Sequence, residues 1–143
     1  MTSEHYLKQV SLFSENRPGQ LAAFAKALED EGIDILAFSI AEAEGFGVIR
    51  ALVSDPERAV EKLSDLGYMV RITDVIGVRM RDVPGGLREM AELLGTANIN
   101  IDYSYAFSGK HGAVLILRVD RPEEAVRRFS SKGIALLCMS DLE

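Results

Sequence analysis

Apolar residues recur along this chain in two rhythms, one of period two and one of period 3.6, and the rhythms alternate in a fixed order. Residues 6–13 alternate in part, which predicts a strand. The polar run Ser14-Glu15-Asn16-Arg17 predicts a turn, and Pro18 stands near a helix start, where its missing N–H costs nothing. Leu21, Phe24, Ala25 and Leu28 follow helical spacing, and Gly32 is placed to end that helix. A second strand is expected from Ile33 to about Ala43, a turn at Glu44-Gly45-Phe46-Gly47, and a third strand over 48–53. Asp55 is placed to cap a second helix with Ala59, Val60 and Leu63 as its apolar stripe. Gly67 ends it, and residues 68–72 read as a fourth strand.

The same order then repeats. A shift of 66 residues superimposes the chain on itself without a gap. Pro18-Gly19 falls on Pro84-Gly85, Leu21 on Leu87, Leu28 on Leu94, Ile33 and Ile35 on Ile99 and Ile101, Val48 on Val114, Pro56-Glu57 on Pro122-Glu123, and Gly67 on Gly133. Glycine and proline fix backbone while the apolar residues fix a core, so both kinds of constraint share one register. The second copy predicts a strand over 75–81, a helix from Pro84 to about Ala97, and a strand over 99–107. A turn at Ser108-Gly109-Lys110-His111-Gly112, a strand over 113–119, a helix capped by Asp120-Arg121-Pro122, and a last strand over 134–139 follow.

The expected fold class is therefore α+β: two ferredoxin-like βαββαβ modules in tandem, with helices packed on one face of an antiparallel sheet. The modules are expected at 1–73 and 74–143, with no linker, joined side by side into an eight-stranded sheet. Each half is small, and a module of that size buries only about 60% of its unfolded surface. Packing on a second module or a second chain is the expected remedy.

Composition narrows the function classes. The net charge is −6, which opposes both a nucleic-acid groove and an anionic membrane surface. Cys138, the single cysteine, excludes an intrachain disulfide and fits a reducing cytoplasm. Its setting, Leu136-Leu137-Cys138-Met139, predicts a buried apolar residue rather than a nucleophile. The N-terminal run Met1-Thr2-Ser3-Glu4-His5 carries no secretory pattern, and no apolar run reaches the ~20 residues of a membrane span.

The loops Asn16-Arg17-Pro18-Gly19-Gln20-Leu21 and Asp82-Val83-Pro84-Gly85-Gly86-Leu87 resemble the (D/N)-x-P-G-x-L signature of ACT domains. The strand starts Ile33-Asp34-Ile35 and Asn98-Ile99-Asn100-Ile101-Asp102 look like the strand that follows it in that family. Two copies in matching context cover nearly the whole chain, which looks like a stand-alone tandem ACT protein without a catalytic domain. The resemblance implies a non-enzymatic regulatory module. It would bind a small amino acid or related carboxylate where these loops meet second strands, the first loop opposite 98–102 and the second opposite Ile33 to Leu36. Asn16, Arg17, Pro18, Gly19, Gln20, Leu21, Asp34, Ile35, Asp82, Val83, Pro84, Gly85, Gly86, Leu87, Asn100, Ile101 and Asp102 are the expected ligand-binding residues. The partners implied are that ligand, a second copy in a homodimer, and a regulated enzyme.

The loop chemistry fits on its own terms. A helix N-terminus presents unpaired N–H groups and partial positive charge, which suit a carboxylate. Glycine lets a ligand approach backbone, and Asn16 or Asp82 can accept from an ammonium. Gly85-Gly86 makes the second loop the favoured site. Pro-Gly is also ordinary punctuation before a helix, with Asn16 and Asp82 merely capping a turn.

Other residues carry less. Arg50 stands mid-strand, either to clamp a carboxylate or to snorkel from a helix-free face. Tyr103, Tyr105 and Phe107 alternate on one face, as pocket lining, interface or cross-strand packing. His5 and His111 have no partners at metal spacing, so neither metal nor cofactor is expected. Glu42 and Glu44 are read as solvated. Gly45-Phe46-Gly47-Val48-Ile49 echoes an RNA-recognition motif, but Glu44 stands where a basic residue is needed and the stacking aromatics are missing. Catalysis needs a convergent nucleophile, base or metal, and none is visible. An interaction scaffold without a ligand is the competing reading, since a free strand edge invites pairing.

Overall fold

A computed structural model describes residues 5–109 and 112–142. The expected turn residues Lys110 and His111 and the expected leaderless start, Met1 to Glu4, lie outside them, as does Glu143.

Among the described residues, six strands and four helices run in the order β1 (Leu7–Glu15), α1 (Gln20–Asp30), β2 (Ile35–Ala43), β3 (Phe46–Val53), α2 (Pro56–Asp65), β4 (Met69–Met80), α3 (Gly86–Thr96), β5 (Ile101–Gly109), β6 (Gly112–Val119) and α4 (Pro122–Ser131). This is α+β, with the βαββαβ order run twice and β4 counted in both copies. The expected fourth strand of the first repeat and first strand of the second are one unbroken strand, β4, in which Gly77 pairs opposite Ile116. The expected last strand over 134–139 shrinks to a single bridge between Leu136 and Val78. Two bonds flank it: Arg79 N–H donates to Ala135 O at 3.2 Å, and Leu137 N–H donates to Gly77 O at 2.8 Å. A single 3-10 turn, Met139–Asp141, follows. Among the described residues, six strands thus stand where eight are expected.

Two compact units result, residues 8–73 and residues 5–7 with 74–142. In the first, the strand order is β2-β3-β1-β4. Strand β3 lies antiparallel to both neighbours, with Leu12 opposite Ile49 and Ile40 opposite Ile49 from the other side. Phe24 and Leu28 of α1 and Ala59 and Leu63 of α2 pack with Val10, Leu12, Ile49, Ala51 and Val53 into one core. Those strand residues share parity, so both helices cover one face. In the second unit the order is β4-β6-β5. There Met90, Leu94, Ala125 and Phe129 pack on Ile76, Val78, Leu115 and Leu117 in the same way.

Both β2 and β5 carry a bulge at their start. Pairing with β3 shifts between Ile35 and Ala37, and pairing with β6 shifts between Ile101 and Tyr103. A bulge moves later side chains to the opposite face. Tyr103, Tyr105 and Phe107 consequently register with Arg118, Ile116 and Val114, away from the helix-side residues Leu115 and Leu117. Arg50 is half-buried and lies in register with Ser11 and Ser39, on the helix-free face of β3.

Cys138 is exposed, contrary to the expectation from its apolar neighbours. The chain leaves strand geometry after Leu137, which is buried, so the next residue turns outward. Its thiol lies 3.0 Å from Ser140 Oγ and 3.2 Å from Asp141 Oδ2, and its N–H donates to the same Asp141 carboxylate at 2.8 Å.

Candidate functional site

Helix α1 begins two residues beyond Pro18, after Gly19 at φ +93°, and α3 begins in the same way after Gly85 at φ +91°. Neither helix start receives a side-chain cap. The left-handed glycine turns the chain sharply from strand to helix; Gln20 N–H donates to Arg17 O at 3.2 Å and Gly86 N–H to Val83 O at 3.0 Å, and the N–H groups that follow in the first turn point out of the helix end.

The two loops then diverge. In the first, Asn16 N–H donates to Gly45 O at 3.0 Å, tying the loop to the β2–β3 hairpin. That hairpin is a two-residue turn with Glu44 at φ +50° and Gly45 at φ +87°, and the Glu42 carboxylate accepts Gly45 N–H at 2.7 Å. Glu42 therefore holds the turn rather than merely facing water. Beneath the loop lies a cavity of about 160 Å³. Its walls are Asn16, Arg17, Gly19, Gln20 and Leu21 from the loop and first helical turn, and Ile40, Gly47 and Ile49 from β2 and β3. Ser14, Glu15 and Ala22 complete it. At the mouth, Arg17 Nη1 lies 3.4 Å from Glu15 Oε2, with both side chains about two-thirds exposed at 66% and 69%.

In the second loop, Gly86 is buried, and a Cβ there would lie 2.0 Å from the Arg81 carbonyl oxygen. Its missing side chain admits that oxygen, not a ligand. Arg81 also donates to Glu89 at 2.6 Å across the loop, while Val83 and Leu87 stand exposed. Asp82, Pro84 and Gly85 are exposed as well.

The expected strand-start residues stand beyond the C-terminal ends of α1 and α3. Asp34 and Ile35 line an open groove of about 690 Å³ along α1 with Lys26 and Glu29. Asp34 N–H donates to Ser54 Oγ at 2.9 Å, and Asn100 N–H donates to the Asp120 carboxylate at 3.0 Å. These bonds close the ends of β2 on β3 and β5 on β6. Asn100 Nδ2–H donates to Asp102 Oδ1 at 3.1 Å, so their side chains pair with each other. Ile101 packs partly into the second core. Within a unit the loop and strand start flank opposite ends of an 11-residue helix, about 16 Å apart at 1.5 Å per residue. Within one unit a single small ligand therefore does not touch both, whereas the expected site pairs each loop with the strand start of the other module.

The structure thus gathers Asn16, Arg17, Gly19, Gln20 and Leu21 around one cavity, leaves Pro18 exposed, and within each unit sets the strand start at the other end of the helix. Glu15, Ile40, Gly47 and Ile49 are lining residues that the loop signature did not include. The register shift of β2 explains the omission, since it turns Ile40 to the helix side. Among the described residues, no group of three His, Cys, Asp or Glu is placed to hold a metal, and no helix is long and apolar enough to cross a membrane.

A family model described as an ACT domain pair matches residues 5–142. A crystal structure of a protein from Bacteroides thetaiotaomicron is similar at 34% identity, with 99% of this chain and 98% of that one covered and a TM-score of 0.91. The ligand-free regulatory subunit of aspartate kinase from Thermus thermophilus shares the fold at 16% identity, with 87% and 90% covered and a TM-score of 0.61. The aspartokinase alpha and beta subunits share it at 20% identity, with 91% and 93% covered and a TM-score of 0.57. No curated protein matches the chain. With the repeated strand–Pro-Gly–helix units already in view, the span of the family match shows that this chain belongs to the ACT domain pair family.

Proposed function

We propose that the chain is a non-enzymatic regulatory module that binds a small amino acid or related carboxylate at its Pro-Gly loops and thereby alters its association with a partner enzyme or regulator. The observation that carries this reading is the cavity of about 160 Å³ enclosed by Asn16, Arg17, Gly19, Gln20 and Leu21 against Ile40 and Ile49. Uncapped N–H groups at the start of α1 suit a carboxylate, and the apolar strand residues suit the remainder of a small ligand. Family membership supports a regulatory role, and a fold shared with a regulatory subunit of aspartate kinase is compatible with it. A cytoplasmic setting is part of this reading, since a single cysteine suits a reducing compartment. Regulation requires only that the ligand bind one association state more tightly than the other.

Thermal unfolding against the twenty amino acids and several organic acids tests the reading. A ligand at about 100 times its Kd adds about 2.7 kcal/mol, on the order of several degrees in Tm. A selective shift is expected for a small amino acid, and Gly19→Val should abolish it while the variant stays folded. No shift with any compound would leave a scaffold.

One feature favours a self-association role alongside ligand binding. Among the described residues strand β2 has no partner on its outer side within its unit, and Phe38, Ile40 and Phe46 are 49%, 43% and 65% exposed. A homodimer is the simplest occupant of such an edge. Sedimentation should give twice the chain mass, and Phe38→Glu should return the monomer.

A further inference from the structure

The two Pro-Gly loops share a turn but not an interior. Gln20, the first residue of α1, lines the cavity of the first loop. Its counterpart at the 66-residue shift is Gly86, the first residue of α3, where a Cβ would lie 2.0 Å from the Arg81 carbonyl oxygen. The obstructing atom is backbone, which cannot rotate aside as the tip of a side chain can. Helix α3 therefore starts closer to the end of β4 than a residue with a side chain allows, whereas α1 starts on one that has a side chain. The space under the second helix start is taken by the strand's own carbonyl.

A tie holds that arrangement. Arg81 Nη2 donates to Glu89 Oε1 at 2.6 Å across the loop, from the end of β4 to the first turn of α3. At the 66-residue shift these two positions are Glu15 and Ala23, so the first loop has no equivalent pair. Charge differs in the same direction. Arg17 becomes Val83, and Asn16 becomes Asp82. The second loop thus loses a cation and gains an anion beside its helix start. An anion there suits the helix dipole and opposes the entry of a second one.

We propose that the loop between β4 and α3 is a closed joint pinned by Arg81, blind to small carboxylates, so that each chain answers to amino acids through its first repeat alone. The proposal rests on the ligand-binding reading above and confines it to one loop. Three features act independently against a carboxylate at the start of α3. The Arg81 carbonyl occupies the space, the Arg81–Glu89 pair spans the loop, and the exposed Asp82 carboxylate repels. Arg81 and Glu89 are positioning residues, since they hold backbone and need touch no ligand.

Amide chemical shifts of the full, isotope-labelled chain, followed while each of the twenty amino acids is added in turn, test the proposal. Amides within 16–21 should move and saturate with at least one amino acid, while those within 82–87 stay in place. Movement at both loops overturns the closed joint and leaves the ligand-binding reading standing. Movement at neither overturns both. Asp82→Asn combined with Val83→Arg gives the second loop the first loop's chemistry but leaves its space filled, so amides within 82–87 should still not respond; a response gained there overturns the steric closure. Hydrogen exchange reads the pin without any ligand. Gly86 N–H is bonded to Val83 O and Glu89 N–H to Gly85 O, while Gln20 N–H is bonded to Arg17 O and Ala23 N–H to Gly19 O. Glu89→Ala should speed exchange of the first two amides by about twofold to fivefold, the scale of an exposed ion pair, and leave the last two unchanged. Equal exchange at Gly86 in the natural chain and the variant overturns the role of Arg81 as the pin.

Discussion

Gly85 and Gly86 are neighbours with different reasons to be glycine. Gly85 sits at φ +91°, and a Cβ there would meet nothing within 4 Å, so its cost is conformational. A residue with a side chain in that region costs about 1–2 kcal/mol. Gly86 has room in φ but none in space, because the Arg81 carbonyl oxygen would lie 2.0 Å from a Cβ. A backbone carbonyl cannot swing aside as a long side chain can. Gly86→Ala is therefore expected to lower stability by about 1–3 kcal/mol, the range for overpacked sites, read as a drop in urea midpoint. An unchanged midpoint would mean that the helix start is free to slide off the strand end. Asn98 shows the same economy from the other side. It occupies φ +58° where the first repeat has Gly32 at φ +68°, and asparagine is one of the few side chains that tolerates that region.

At the scale of elements, the repeats solve one problem with different residues. The C-terminal carbonyls of α1 and α3 need donors. Arg58 donates to Glu31 O at 3.1 Å in one unit, and Arg121 donates to Ala97 O at 2.6 Å and Asn98 O at 2.8 Å in the other. The two arginines are not equivalent positions, since Arg121 falls on Asp55 at the 66-residue shift. Asp55 instead caps α2, its carboxylate accepting Arg58 N–H at 3.2 Å, whereas α4 has no side-chain cap at Arg121. Asp55→Ala should thus cost about 1 kcal/mol, measured by thermal or urea unfolding. A loss well below that would show that the tie between Arg58 and Glu31 holds the helix start without the cap.

Over the whole molecule, acidic residues exceed basic ones by six, and the ion pairs lie mostly at the surface. Glu124 accepts from Arg127 and Arg128, and those bonds hold its carboxyl below its ordinary value. The Lys26 ammonium does the same for Asp30. A carboxyl lowered in the folded state adds stability above its unfolded value, about 4.3 for Glu, and loses it as pH falls through the folded value. Stability should therefore be level near neutrality and decline from about pH 4.3 downward. Glu124→Gln should make that decline shallower in urea midpoints taken at pH 6 and pH 3.5, and an unaltered slope would remove the Arg pairs as its source. The effect is small, since the groups are screened by water.

Much of this was readable from residue order because the constraints were local and stated twice. A left-handed glycine before a helix, a proline directly before that glycine, and an apolar stripe at 3.6 spacing each act within a few residues, so the four helices followed from pattern, with α3 starting at Gly86, two residues after the expected Pro84. Even the bulge in β2 left a trace, as the apolar positions change parity from Ile33 and Ile35 to Phe38 and Ile40. What pattern could not supply was set by partners distant in the chain. Strand β4 runs unbroken through two weak breakers and fuses two expected strands. The final segment became a bridge and a turn because only Ala135 to Leu137 meet β4, which left Cys138 exposed despite apolar neighbours. The cavity needed Ile40, Gly47 and Ile49 to be folded back against a loop some twenty to thirty residues earlier. Gly86, apparently open to a ligand, was filled by the carbonyl of Arg81. Periodicity encodes which way a side chain points along its own element, but only the packed sheet decides what stands opposite it.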